Sequence, residues 1–353
     1  MTMNVKQEND AYEKLRAIVP QELRKEFDAI SAGEMLPSFT SDVVFRKLLD
    51  PDTHRDRVEN LFQLIFGIKD AQVVSSSKTV HTKPSILSKG TAQDVNALLT
   101  QRGMLNLEMQ VQAQDFIVNR INVYAADMNI LQYTVAEGDK KKEFNFVDIG
   151  HSYLVVFLKE SPPVFKKSPF FIHKKLEITD TNIELERLST IVYIELDKCL
   201  AYVNEHGLAQ GQEELCKYLV MIADSNSAVS RELATKDEEL RNIQSELQSM
   251  SKNREEMFEM LAEKYAEAIK SSELVWARRE GERLGKAEGK AIGTTEKEIS
   301  LIMKKVQKAK SLEVISDELE CTPDEIRHLY EVVVECGPGC SVDVVLEKVI
   351  TKS

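Results

Sequence analysis

Asp94 and Glu108, two acids separated by a short turn and followed by Gln110, are the residues whose types and spacing could do chemistry. From Met104 to Gln112 the side chains alternate. Leu105, Leu107, Met109 and Val111 fall on one side, Asn106, Glu108, Gln110 and Gln112 on the other. A period of two belongs to a strand with one apolar face. Asp94 to Leu99 also alternates at first, and Thr100 to Gly103 supply turn residues, so the two runs read as a β-hairpin. A register that sets Asn96 opposite Asn106 sets Asp94 opposite Glu108. Directly opposed residues hold their Cβ atoms about 4.5–5.5 Å apart, where like charges repel. A shared divalent cation removes the repulsion, and Mg²⁺ suits the place because it takes one or two carboxylates and keeps waters and phosphate oxygens around it. Such a cation polarises a phosphoryl oxygen and activates water. Gln110 points to the same exposed polar face, where it can hydrogen-bond a water but supplies no charge.

An acid, a turn, then Glu-x-Gln on the next strand resembles the PD-(D/E)XK nuclease core, in the variant where Gln stands for the usual Lys. Further segments are similar to the Rpn-type family of recombination-promoting nucleases and transposases. These are Ser41 to Asp50, the apolar helix ending Asn60 to Phe66, Leu107 to Gln110 with a helix carrying Arg120 and Tyr124 behind it, and the strands Tyr153 to Leu158 and Ile191 to Leu196. The resemblance covers residues 40–200 and departs from the family pattern at Ser75 to Gly90 and at Glu137 to Asp148. It implies an α/β, restriction-endonuclease-like fold and a Mg²⁺-dependent DNA endonuclease of low sequence specificity that promotes recombination. It also implies that Asp94, Glu108 and the Met109 carbonyl hold the metal, and that Gln110 orients the attacking water. The rival reading is a weak or inactive nuclease fold that binds DNA or scaffolds an assembly. The intact acid pair favours the enzyme; the missing Lys, which Lys83 could replace, favours the rival.

Three more residues carry two readings each. Asp42, at the start of a helix with Phe45 and Arg46 one turn on, is either an outer acid of the site or a helix cap. Arg120 and Tyr124 lie four apart on one helical face, and either reach phosphate or form a structural pair. No Ser-His-Asp set, phosphate-cradling loop, dinucleotide glycine motif or paired histidines are present.

The net charge of −12 opposes phosphate binding, yet it is unevenly spread: residues 1–200 carry 25 basic and 28 acidic side chains, the remainder 21 and 30. Lys140 to Lys142, Lys166-Lys167 and Lys174-Lys175 could form a phosphate-facing patch or stay solvated loop charges. Five cysteines without a paired CxxC argue against a disulfide framework or a zinc site. No apolar run approaches the ~20 residues that span a bilayer, and the charged N-terminus has no apolar signal region, so the cytoplasm is the expected location.

These residues need elements to position them. Residues 1–38 read as a polar lead-in, and 39–225 as the nuclease-like domain. That domain is expected to hold two helices over about 41–66, strands near 72–82, 93–99 and 104–111, a helix from Asp115 to Ala136, then strands, with Asp180 to Cys199 closing the sheet and a helix near Gln212 to Ala223. Residues 226–310 read as a long helical tail: Leu233, Leu240 and Leu247 recur every seven residues beside Ile243, Met250 and Met257, which favours a coiled coil and a homo-oligomer, with a helix packed on the domain as the alternative. Gly281, Gly285, Gly289 and Gly293 recur every four residues and suggest close approach of a second helix or a flexible linker. Residues 311–353 read as a small helical region, with Thr322 as N-cap and Pro323 at the first helical position, suited to protein contact more than base readout.

Overall fold

The structure is a computed structural model that describes residues 12–14, 16–17, 19–70, 72–76, 94–100, 103–113, 116–138, 145–146, 149–185 and 187–352. It divides into two compact units, Met1–Ala266 and Glu267–Ser353.

In the first unit, helices α1 (Arg24–Ser31), α2 (Asp42–Leu48) and α3 (Arg55–Phe66) precede β1 (Val73–Ser76), β2 (Val95–Leu99) and β3 (Met104–Gln110). Then come α4 (Ile117–Gly138), β4 (Ser152–Leu158), β5 (Ile172–Lys174), β6 (Ser189–Glu195), α5 (Leu196–His206), α6 (Glu213–Ala223), α7 (Ala228–Lys236) and α8 (Glu238–Met250). The six strands form one mixed sheet in the order β1-β2-β3-β4-β6-β5. β1 and β2, β2 and β3, and β5 and β6 pair antiparallel, whereas β3, β4 and β6 run parallel. Parallel central strands need both faces covered, and this explains the near-continuous apolar run Tyr153 to Leu158.

One face of the sheet, carrying Leu105, Leu107, Met109, Val155, Phe157, Val192 and Ile194, packs on the α2–α3 and α5–α8 helices. The other face, carrying Met104, Leu154, Val156, Ile191 and Tyr193, packs on α4 through Ile117, Ile121, Tyr124 and Met128. Gly103 lets the hairpin turn pack closely, since a Cβ there would meet the Leu99 Cβ at 3.1 Å and one of the two would have to shift.

Several expectations are corrected here. The strand expected to close the sheet, β6, lies inside it; the edge is β5, whose three residues are too short for a periodic signal. Lys175, read as part of a phosphate-facing patch or as a solvated loop charge, donates from its Nζ to the Asn122 Oδ1 on α4 at 2.9 Å. The Lys140 to Lys142 cluster, Lys83 and the further course of the first strand to residue 82 lie outside the described residues.

The heptad seam is also reassigned. Residues 228–306 form α7, α8 and a 53-residue helix, α9 (Arg254–Val306), not one coiled-coil rod. Leu240, Ile243, Leu247 and Met250 are at most 2% exposed and belong to the core beneath the sheet. An apolar stripe already buried within its own unit has nothing left to offer a second chain, so the seam gives no ground for a coiled-coil oligomer. Ion pairs fasten the same helix. Arg57, buried on α3, donates to Glu239 Oε1 (2.5 Å) and Glu246 Oε1 (2.7 Å) of α8. The compact unit accordingly runs past residue 225 to Ala266.

In the second unit, α10 (Leu312–Glu318), α11 (Pro323–Cys336) and α12 (Val342–Lys352) enclose Ile299 and Ile302 of α9 with Ile315, Ile326, Val332, Val333 and Val345. Thr322 is the N-cap of α11 and Pro323 opens it, while the Glu325 carboxylate accepts from the Thr322 N–H at 2.7 Å. A Cβ added at Gly281, Gly285, Gly289 or Gly293 would meet nothing within 4 Å, so among the described residues no second helix approaches that stripe. No helix among them is long and apolar enough to cross a membrane.

Candidate active site

The hairpin register is the one that brings the acids together. Asn96 pairs with Asn106 and Val95 with Leu107, so Asp94, one residue before β2, sits beside Glu108. The Asp94 N–H donates to Glu108 Oε2 at 3.4 Å, and the Met109 N–H donates to Asp94 Oδ2 at 2.8 Å. The backbone N–H of the X residue in Glu-x-Gln thus orients Asp94, while its carbonyl and Glu108 Oε1 both accept from the Gln110 amide.

The polar face of β3 is not exposed, contrary to expectation. Asn106 is fully buried, Glu108 1% exposed and Gln110 6% exposed, because β3 is internal to the sheet and α4 covers that face. Burial disfavours a carboxylate's charged form. It raises the proton affinity of both Glu108 and Asp94, and the Asp94 charge raises Glu108 further. Arg120 opposes the shift in each case. A buried Glu108 beside a half-buried Asp94, with Arg120 acting on both acids and Arg46 on Asp94, forms a centre where burial outweighs the nearby positive charge.

Arg120 reaches this centre from α4. Its Nη2 donates to Glu108 Oε1 (3.3 Å), its Nη1 to Gln110 Oε1 (3.1 Å) and its Nε to the Tyr124 hydroxyl (2.8 Å). All three guanidinium nitrogens are engaged inside the protein. Tyr124 is itself buried at 5% exposure. The spacing of four on one helical face was visible in the sequence, but its target was not, because Glu108 lies on another element.

Asp42 opens α2, and its charge raises the proton affinity of both Asp94 and Glu108. The cap of that helix comes from elsewhere: Glu263 of α9 accepts from Ser41 Oγ (2.6 Å), the Asp42 N–H (2.6 Å) and the Val43 N–H (3.2 Å). No sequence signal points to Glu263, which is 221 residues from Asp42. Arg46, one turn along α2, lowers the proton affinity of Asp94. Among the described residues, no three His, Cys, Asp or Glu side chains converge as a metal-binding group. A cation at this place would therefore rest on two carboxylates and a backbone oxygen, with water completing its shell.

Residues 39–272 match the family described as PD-(D/E)XK nuclease family transposase. The chain belongs to this family. No curated protein and no solved structure shows significant similarity to it. Nucleases of this family generally use divalent metal ions, and the donor set here fits one: Asp94, Glu108 and the Met109 carbonyl are hard oxygen donors of the kind Mg²⁺, Mn²⁺ and Ca²⁺ prefer. When bound, the cation supplies Lewis-acid polarisation of the phosphate and an activated water. The match extends through α7 and α8 to residue 272, in keeping with a core that needs those helices.

The raised proton affinities give a pH dependence with a defined sign. Between the ordinary carboxylate range and the raised value of Glu108, the folded protein holds more protons than the unfolded chain, so its stability falls as pH rises. In EDTA, Tm is expected to drop across that window, and Glu108→Gln should flatten the drop. Calorimetric melts from pH 5 to pH 9 measure it; identical pH slopes for the two proteins would exclude Glu108 as the titrating group.

Proposed function

We propose that the chain is a Mg²⁺-dependent endonuclease that hydrolyses DNA phosphodiesters with low sequence specificity and promotes recombination, as in the Rpn-type branch it resembles. The observation that carries the reading is the antiparallel register that seats Asp94 beside Glu108, with the Met109 backbone between them. Membership in a nuclease and transposase family supplies the substrate class.

Roles follow from the geometry. Asp94, Glu108 and the Met109 carbonyl hold the cation, and Asp42 with Arg46 sets the field at its outer side. Gln110 takes the position of the usual Lys. A neutral amide orients water without a proton-linked charge, which suits slow turnover. Arg120 and Tyr124 hold the acid and the amide in place rather than gripping phosphate.

Purified protein with supercoiled plasmid is expected to give nicked circles in Mg²⁺ and none in EDTA. Intact plasmid in Mg²⁺ and in Mn²⁺, with DNA retained in a mobility shift, would instead favour the rival reading, a nuclease fold that binds without cutting.

A further inference from the structure

The Gln110 side chain stands where the cation would enter. Its Nε2 donates to Glu108 Oε1 at 3.1 Å and to the Met109 carbonyl at 2.9 Å. These are two of the three oxygens assigned to the metal. A cation bound by both lies about 2.0–2.6 Å from each, within the volume the amide nitrogen fills, so the two occupants exclude each other.

The direction of the amide is set by chemistry. Arg120 Nη1 can only donate, and Gln110 Oε1, at 3.1 Å, must accept from it. On the other side, the Met109 carbonyl can only accept. Turning the amide over would aim its NH2 at the guanidinium and its oxygen at the carbonyl, placing donor against donor and acceptor against acceptor. Arg120 thereby fixes the orientation in which the amide presents hydrogens, not oxygen, to the cation's ligands. Gln110 is 6% exposed and its Oε1 accepts from Arg120 of α4, so the swing has to disturb the α4 contact.

We propose that Gln110, clamped by Arg120, is a built-in competitor for the cation: the amide occupies the ligand oxygens and must swing aside before the metal binds. The proposal rests on the metal-site reading above. It separates two functions that a Lys at this position would combine, because the amide occupies the site when the cation is absent and orients water only after it has moved. Cation affinity is held down by the protein itself, and a DNA phosphate that supplies further oxygens for the metal shifts the balance toward the open form. In this scheme Arg120 is a positioning residue that acts through Gln110 and Glu108.

The test is isothermal titration of the full chain with Ca²⁺, in parallel with Gln110→Ala, Gln110→Ser and Asp94→Asn, each first shown to melt cooperatively in EDTA. Wild type should bind one site, and Asp94→Asn should lose it. Both truncations of Gln110 should bind Ca²⁺ more tightly by about fivefold or more, the ratio corresponding to one net hydrogen bond of ordinary strength. Equal or weaker binding by both truncations, with Asp94→Asn still defective, overturns the competitor role and leaves the metal site standing. Titration heats unchanged by Asp94→Asn, or no binding by any of the four proteins, would overturn the metal-site reading and the competitor with it.

Discussion

Glu108→Gln is expected to reduce Mg²⁺-dependent plasmid nicking by about a thousandfold or more, a loss near 4 kcal/mol of transition-state stabilisation. Asp94→Asn should act similarly. The expectation comes from the charge at the centre. A divalent cation held by two carboxylates and a carbonyl loses half its anionic ligand set with either substitution, and among the described residues no third His, Cys, Asp or Glu converges with the pair as a metal-binding group. Folding should survive, and in EDTA at alkaline pH the Glu108→Gln protein should be the more stable of the two. The neutral amide removes a buried charge that desolvation and Asp94 both oppose. In Asp94→Asn the side-chain oxygen can still accept from the Met109 N–H. Single-turnover nicking with thermal melts on the same preparations decides the matter; a well-folded double variant that nicks at the wild-type rate would remove Asp94 and Glu108 from the mechanism.

The second large effect concerns the chain beyond α6. A protein ending at Ala223 is expected to lose cooperative folding, whereas one ending at residue 272, where the family match stops, should keep it. Leu240, Ile243, Leu247 and Met250 on α8 are each 2% exposed or less. Burying such side chains contributes roughly 1.5–3 kcal/mol each, so four of them rival the whole ~5–15 kcal/mol stability of a domain. Arg57, left without Glu239 and Glu246, would add an uncompensated buried guanidinium. Near-UV circular dichroism and dye binding on both truncated proteins supply the readout. A monomeric 1–223 protein with native near-UV signal and an unchanged Tm would show that α8 is an appendage and return the heptads to intermolecular pairing.

Glu263 gives α9 a direct connection to the site, since its carboxylate caps the helix that begins with Asp42. That contact lies inside the first unit, near the end of the family match. Lys47 with Glu256, and Lys264 with Glu26, tie the same stretch of α9 to α2 and α1.

The acid pair, its register and the strand that carries it were legible in the amino-acid order. Strand periodicity is local, and a short turn between two alternating runs leaves few ways to pair them, so Asn96 opposite Asn106 could be read before any contact was known. The α/β class, the α6 helix and the Thr322-Pro323 start of α11 were legible for the same reason, since each signal lies within a few residues of its effect. Tertiary structure decided what covers each face. The alternation of Asn106, Glu108 and Gln110 says only that they share a side; α4 crossing it turns that side into a buried, proton-retaining centre. A heptad spacing likewise states that a helix has an apolar stripe and not which surface meets it, and here the partner is the helical layer beneath the chain's own sheet. The Arg120 clamp joins a strand to the helix that follows it, and the Glu263 cap joins residues 221 apart; in both, no pattern within a single element records the meeting.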